Sequence, residues 1–260
     1  MRDLLRSIVA DKRAALASRR TSEARLPRSD FDPPPPRDFL AALRSPGVQV
    51  VAEIKRRSPS AGRLREALDP AVLAPALEAA GAAALSVLTD GPRFGGSPED
   101  LVAARAATRL PVLRKDFLLD PCEMRESRQL GADAVLLIVQ ILGPGQLGEL
   151  VAAAAEAGLV AVVEAHGVVD LHRAIDCGAP VIGINSRDLD TLEVDLPSAL
   201  RLAALVPTAR VAIAESGIRT RGDALAVARS GFDAMLVGEA LMREASPAAA
   251  LARLLGRDAP

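Results

Sequence analysis

Eight short apolar runs constrain this chain more than any other feature. Each is followed by a polar or glycine residue and separated from the next by a helix-like segment. They occupy positions 48–54, 83–88, 111–113, 134–139, 160–163, 181–184, 211–214 and 234–237. Their apolar character is largely continuous rather than alternating. A strand that is apolar on both faces is buried on both faces, as in a parallel sheet covered by helices. The intervening segments carry helix signals. The stretches 73–80, 123–130, 147–157, 171–177 and 223–230 stop at Gly81, Gly131, Gly158, Gly178 and Gly231. Glycine takes the left-handed conformation that closes a helix without the cost a Cβ incurs. Pro98, Pro121, Pro144 and Pro247 stand where helices begin and a missing N–H is tolerated. Eight strand–helix units predict an α/β chain with a (β/α)8 TIM barrel over residues 48–256. A doubly wound open sheet competes. It normally carries a glycine-rich fingerprint after its first strand, and here that loop reads Lys55-Arg56-Arg57-Ser58-Pro59-Ser60-Ala61-Gly62.

Residues 1–47 lie outside the repeat as an N-terminal helical extension. Leu4, Leu5, Ile8, Val9 and Leu16 recur at helical spacing. The stretch 21–36, with four successive prolines, reads as an extended linker, and 37–43 as a second short helix. Such an extension either plugs one barrel end or lies as a lid over the active face. Composition excludes several function classes. Basic and acidic residues number 32 and 33, so the formal charge is −1, and neither nucleic acid nor an anionic membrane is an expected partner. No run approaches the roughly 18 uncharged apolar residues of a membrane span. Asp3, Arg6, Asp11, Lys12 and Arg13 interrupt any signal-peptide centre. Cys122 and Cys177 show no metal or redox spacing, which fits a reducing cytosol; on predicted helices, both read as small buried groups. A cytoplasmic monomer is the expectation.

Active sites of such barrels form at the C-terminal ends of the strands. The first strand ends Glu53-Ile54-Lys55, with Glu53 and Lys55 on the same side by alternation. The third ends Arg114-Lys115-Asp116, the fifth in Glu164, the sixth in Asn185 and the seventh in Glu215-Ser216-Gly217. The chain has only three lysines and one asparagine, and this ring takes two of the lysines and the asparagine. Arginine cannot replace lysine where an ammonium must release a proton. An ionic plug of Glu53, Glu164 and Glu215 with Lys55 and Lys115 is the bland alternative, though it would cost desolvation with little net stability. Three glutamates could also hold a divalent metal, a reading weakened by the lysines and by the lack of a strand-end histidine. His166 and His172 read as surface or packing residues. Ser216-Gly217 and Gly238-Glu239, after the last two strands, let backbone N–H groups approach an anion, and Lys55 and Ser58 could complete a phosphate ring.

These motifs resemble the indole-3-glycerol phosphate synthase family. The matching stretches are Val51-Ala52-Glu53-Ile54-Lys55-Arg56-Arg57-Ser58-Pro59-Ser60, Ser86-Val87-Leu88-Thr89-Asp90 with Phe94-Gly95-Gly96-Ser97, and Leu113-Arg114-Lys115-Asp116-Phe117. Further along come Gly183-Ile184-Asn185-Ser186-Arg187-Asp188-Leu189, Ala214-Glu215-Ser216-Gly217-Ile218 and Leu236-Val237-Gly238-Glu239-Ala240-Leu241-Met242. The resemblance implies ring closure, decarboxylation and dehydration of 1-(2-carboxyphenylamino)-1-deoxyribulose 5-phosphate, with no metal or organic cofactor. It implies Lys115 as the general acid, which fits a lysine whose pKa is lowered by cationic neighbours and a dry pocket. It implies Glu164 as acid/base partner in dehydration and Lys55 as a substrate contact that helps remove the leaving hydroxyl. Glu53 would orient Lys55 and Lys115, and Asn185 and Glu215 would hold substrate hydroxyls and amine. Phe94, Phe117, Arg187 and Leu189 would wall the anthranilate ring, and Ser216, Gly217, Gly238 and the Glu239 backbone would cradle the phosphate. Glu239 departs from family versions with serine, so only its N–H is assigned and its side chain is expected to point away. Association with other tryptophan-pathway enzymes is compatible with the resemblance. A Schiff-base aldolase-type barrel using Lys115 as nucleophile is the competing function.

Overall fold

The computed structural model describes residues 3–21, 33–65, 67–189 and 191–257. Eight parallel strands close into a barrel: β1 (Gln49–Ile54), β2 (Ala84–Leu88), β3 (Val112–Lys115), β4 (Ala134–Ile138), β5 (Val160–Ala165), β6 (Val181–Asn185), β7 (Val211–Glu215) and β8 (Ala234–Val237). Each pairs with its successor, and β8 returns to β1 in the register Gln49↔Ala234 to Ala52↔Val237. The continuous apolar runs have the expected cause. Every position of β2, β4, β6, β7 and β8 is buried, one face inside the barrel and the other under the helices.

Helix ends follow the glycine signals. Gly81, Gly131, Gly158, Gly178 and Gly231 all have positive φ, between 73° and 102°. Pro98, Pro144 and Pro247 occupy first turns, whereas Pro121 is itself the cap residue of the helix Cys122–Gln129. Two small elements escape the periodic reading. An antiparallel pair, Arg57–Ser58 with Gly62–Arg63, folds the loop after β1 back on itself. A four-residue helix, Gly91–Phe94, starts at Asp90, whose carboxylate accepts from Arg93 N at 2.9 Å. Cys122 is exposed and Cys177 only half-buried, which corrects the expectation that both are buried. Cys122 opens a helix at its solvent side rather than facing the sheet.

The two helices of the extension lie at opposite ends of the barrel. The first, α1 (Asp3–Thr21), places Leu4, Leu5 and Ile8 in the wall of the cavity at the C-terminal strand ends. Its Lys12 hydrogen-bonds Asp116, just after β3, and lies 3.8 Å from Asp90, just after β2. The second, α2 (Phe39–Leu43), is shorter than 37–43 because Asp38 caps it, accepting from Ala41 N at 2.8 Å. Arg37 donates from its backbone N to Asp133 at 2.7 Å and from Nη1 to Leu110 O at 2.7 Å. Both partners precede strands, so fully buried Phe39 and Leu43 sit at the N-terminal end. Most of the expected linker falls on 22–32, outside the described residues.

Candidate active site

Strand register brings the polar ring together. Asn185 lies opposite Glu215 in the β6–β7 pair, and Glu164 opposite Gly183 in the β5–β6 pair. Lys115, at the end of β3, reaches across the barrel to hydrogen-bond Glu215, and its Nζ is 3.2 Å from Glu164 Oε2. Asn185 Nδ2 donates to Glu164 Oε1 at 3.1 Å. Glu53 Oε1 is 2.7 Å from Lys55 Nζ, as alternation on β1 requires. Glu53 makes no hydrogen bond to Lys115 among the described contacts; it acts on that ammonium through charge alone. Glu53, Glu164, Asn185 and Glu215 are all buried.

Electrostatics at Lys115 reverses an expectation. Burial alone would lower its pKa, but Glu215, Glu164 and Glu53 outweigh it and push the pKa above the ordinary lysine value. The neighbours that decide the shift are anionic, not cationic. Burial also works against ionising Glu164, yet Lys115, His166 and the Asn185 hydrogen bond hold its pKa below the usual range. Glu215 goes the other way, up to about 8: burial leads, Lys115 opposes, and Glu164 and Glu53 add to the rise. The cause is a charge imbalance. Three carboxylates share two ammoniums, so one carboxyl keeps its proton near neutrality.

Above this floor the cavity is largely apolar. Phe94 and Phe117 face each other at 6.2 Å between ring centroids, tilted by 37°. Leu189, Leu88, Leu136 and Ile138 line it with the α1 residues. Arg187 donates to Leu192 O at 3.0 Å and to Glu239 Oε2 at 3.3 Å, while its N donates to Asn185 Oδ1 at 3.0 Å. Glu239 also accepts from Arg243, so two guanidiniums hold its side chain. Ser58, Ser216, Gly217, Gly238 and Glu239 share the same cavity. Ser216 and Gly217 both take positive φ, 65° and 75°. A Cβ on Gly238 would lie 2.4 Å from Glu53 Oε1, so this glycine also makes room for the β1 carboxylate. The structure thus gathers every expected site residue into one cavity.

Several residues of the site were missed. Gly183 is one: a Cβ there would lie 2.1 Å from Glu215 Oε1. The available signal was a glycine inside a strand, which marks a close approach. Lys12, the third lysine, meets the residue that follows Lys115. Of the surface and packing readings of His166, burial favours packing: its side chain is 8% exposed and its Nε2 is 3.4 Å from Glu164 Oε1. Among the described residues no group of three or more His, Cys, Asp or Glu has a metal-holding arrangement. No described helix is long and apolar enough to cross a membrane.

Fold and cavity together define a (β/α)8-barrel enzyme with its ionisable groups gathered at the C-terminal strand ends. The model of the family indole-3-glycerol phosphate synthase matches residues 5–254. An indole-3-glycerol phosphate synthase 2 of Streptomyces coelicolor is 46% identical over 258 residues, covering 98% of this chain and 100% of the relative. An indole-3-glycerol phosphate synthase of Mycobacterium ulcerans is 50% identical over 222 residues, covering 85% of this chain and 82% of the relative. The chain belongs to the indole-3-glycerol phosphate synthase family. It is a carboxy-lyase of tryptophan biosynthesis that forms indole-3-glycerol phosphate from a phosphorylated small-molecule substrate. More distant structures share the fold alone. The thiamine phosphate pyrophosphorylase of Pyrococcus furiosus is 19% identical, with a TM-score of 0.61, covering 82% of this chain and 96% of its own.

Proposed function

We propose that Lys115, Glu164 and Lys55 carry the proton transfers of this reaction, with Glu53, Asn185 and Glu215 holding them and the substrate in place. The carrying observation is the Lys115 ammonium held between Glu164 and Glu215 on the floor of a cavity with aromatic and aliphatic walls. The raised pKa keeps Lys115 protonated, as a general acid must be at the start of its step. It protonates the ribulose carbonyl oxygen as the ring carbon attacks; carbon dioxide then leaves and the ring carbon keeps the bonding pair. Water leaves in the final step. There the depressed pKa of Glu164 supports a carboxylate ready to accept a proton, and Lys55 assists departure of the hydroxyl. No step calls on a metal or organic cofactor.

Phe94, Phe117, Arg187 and Leu189 form the ring pocket in this reading. Lys55, Ser58, Ser216, Gly217, Gly238 and the Glu239 N–H take the phosphate end. Glycine at positions 217 and 238 leaves the backbone approachable, and the guanidiniums of Arg187 and Arg243 compensate the Glu239 carboxylate. Helix α1 serves as a lid over the cavity, and α2 as a plug at the other end.

The test is an assay with 1-(2-carboxyphenylamino)-1-deoxyribulose 5-phosphate, following indole fluorescence against a chain that has no Trp and no Tyr. Lys115→Ala should abolish turnover while leaving affinity for inorganic phosphate within a few-fold; substantial residual turnover would remove Lys115 from the general-acid role. The Schiff-base reading predicts an adduct on Lys115 that borohydride traps with a phosphosugar. An ammonium stabilised by neighbouring carboxylates is a poor nucleophile, so no adduct is expected.

A further inference from the structure

Glu164 has a neighbour that the roles above leave unused. His166 follows the end of β5, two residues after Glu164, in the turn that leads into the next helix. Its ring is buried, and both ring nitrogens are shut off from solvent with no hydrogen-bond partner among the described residues. A buried imidazole costs free energy unless its nitrogens are used, and an apolar residue would fill the same space without that cost. The polar group nearest to it is the one that matters here: Nε2 lies 3.4 Å from Glu164 Oε1. His166 does not line the cavity, so it does not reach the substrate. Its backbone N is held by Asp170 at 3.3 Å, which anchors the residue from the following helix.

We propose that His166 is a positioning residue for this reaction. With Nε2 carrying the proton, a small rotation of the imidazole turns its N–H onto Glu164 Oε1, 3.4 Å away, and holds that carboxylate in place for the dehydration step. The inference rests on the reading of Glu164 as the acid/base group. Two donors hold that carboxylate, Lys115 on Oε2 and Asn185 on Oε1, and His166 Nε2 stands 3.4 Å from Oε1. They do not have equal permanence. Once Lys115 has passed its proton to the substrate, its positive charge is gone and Glu164 remains buried. Asn185 and His166 are then the groups left to stabilise the anion. An amide and an imidazole on one oxygen leave Oε2 as the atom that faces the substrate and exchanges the proton.

The contribution is measurable because it runs through a single partner. His166→Leu fills the site without a donor, and His166→Gln restores an N–H near the position of Nε2. His166→Leu should lower kcat about tenfold or more and leave KM within about twofold, with the undehydrated intermediate accumulating. His166→Gln should recover most of that loss. In a Glu164→Gln background the His166→Leu change should cost less than about twofold, because the group it serves is already gone. Wild-type turnover in a folded His166→Leu protein, equal losses in both backgrounds, or no recovery in His166→Gln would each overturn the proposal. Full activity in Glu164→Gln alone would instead remove the acid/base reading and this inference with it, so the two failures are distinguishable. Should Glu164→Gln turn over too slowly for the cycle, the contrast between His166→Leu and His166→Gln decides. His166→Asn, whose shorter amide does not reach Oε1, replaces His166→Leu if that variant does not fold.

Discussion

Glu215 is held far from ordinary carboxylate behaviour, and its titration should be readable in stability. Its carboxyl is pushed up to about 8 from an ordinary 4.5, chiefly by burial. Between those values the folded protein binds a proton that the unfolded chain does not, so stability falls as pH rises through the window and the loss is complete above about 8. Glu215→Gln has no proton to release. Thermal melts from about pH 5 to about pH 9 should therefore show the wild type losing Tm relative to this variant, and parallel curves would show Glu215 ionised throughout. Gly183 supplies a second test at this scale. A Cβ there collides with the end of a flexible side chain, at 2.1 Å from Glu215 Oε1, so the fold should survive and the carboxylate should move. Gly183→Ala is expected to melt within a few degrees of wild type yet lose about a hundredfold in turnover, the scale set by small misplacements of reacting groups. A fully active Gly183→Ala protein would show that Glu215 tolerates displacement.

Helix α1 lines the site with an apolar face. Leu5 and Ile8 are 1% and 2% exposed, an apolar face that closes one side of the cavity. Its fastening is polar: Lys12 to Asp116 and Asp90, and Arg93 to Asp11 and, at 3.1 Å, to Ser7. Burial would raise the pKa of Asp116, but Lys12 and Arg114 keep it below the usual carboxylate range, so the fastening stays charged. Lys12→Ala removes one charge from a pair whose other member is buried. The expected result is a severalfold rise in KM with a smaller change in kcat, and faster proteolytic cleavage near α1. Unchanged KM and cleavage would separate α1 from substrate binding. The apolar spacing of α1 was readable from Leu4, Leu5 and Ile8; the end of the barrel it covers was not, because periodicity defines a face and not its partner.

At the scale of the whole molecule, the large apolar side chains left exposed are scattered. Among the described residues they are Val72, Val102, the adjacent pair Val168 and Val169, Leu205 and Leu225, spread over five helical segments. Scattered exposure of this kind is normal for a monomer. Sedimentation should give a single species near 27.1 kDa; a dimer at micromolar concentration would contradict this. Dialysis against a chelator should leave turnover unchanged, and a loss restored by a divalent ion would bring back the three-glutamate metal reading.

Much of this architecture was legible because it is local. Continuous apolar runs, glycine stops and prolines in first turns report on neighbours in sequence, and the barrel follows from repeating one unit eight times. The same logic put Glu53, Lys55, Lys115, Glu164, Asn185 and Glu215 at one end, since each closes a strand. Tertiary structure decided what those groups feel. Lys115 and Glu215 are 100 positions apart, and only barrel closure puts them in contact. The protonation of both depends on distance and burial summed over several strands, which no single stretch contains. For the same reason Gly183 is a space for a carboxylate, Lys12 a fastening and His166 a neighbour of Glu164 only after the chain has folded.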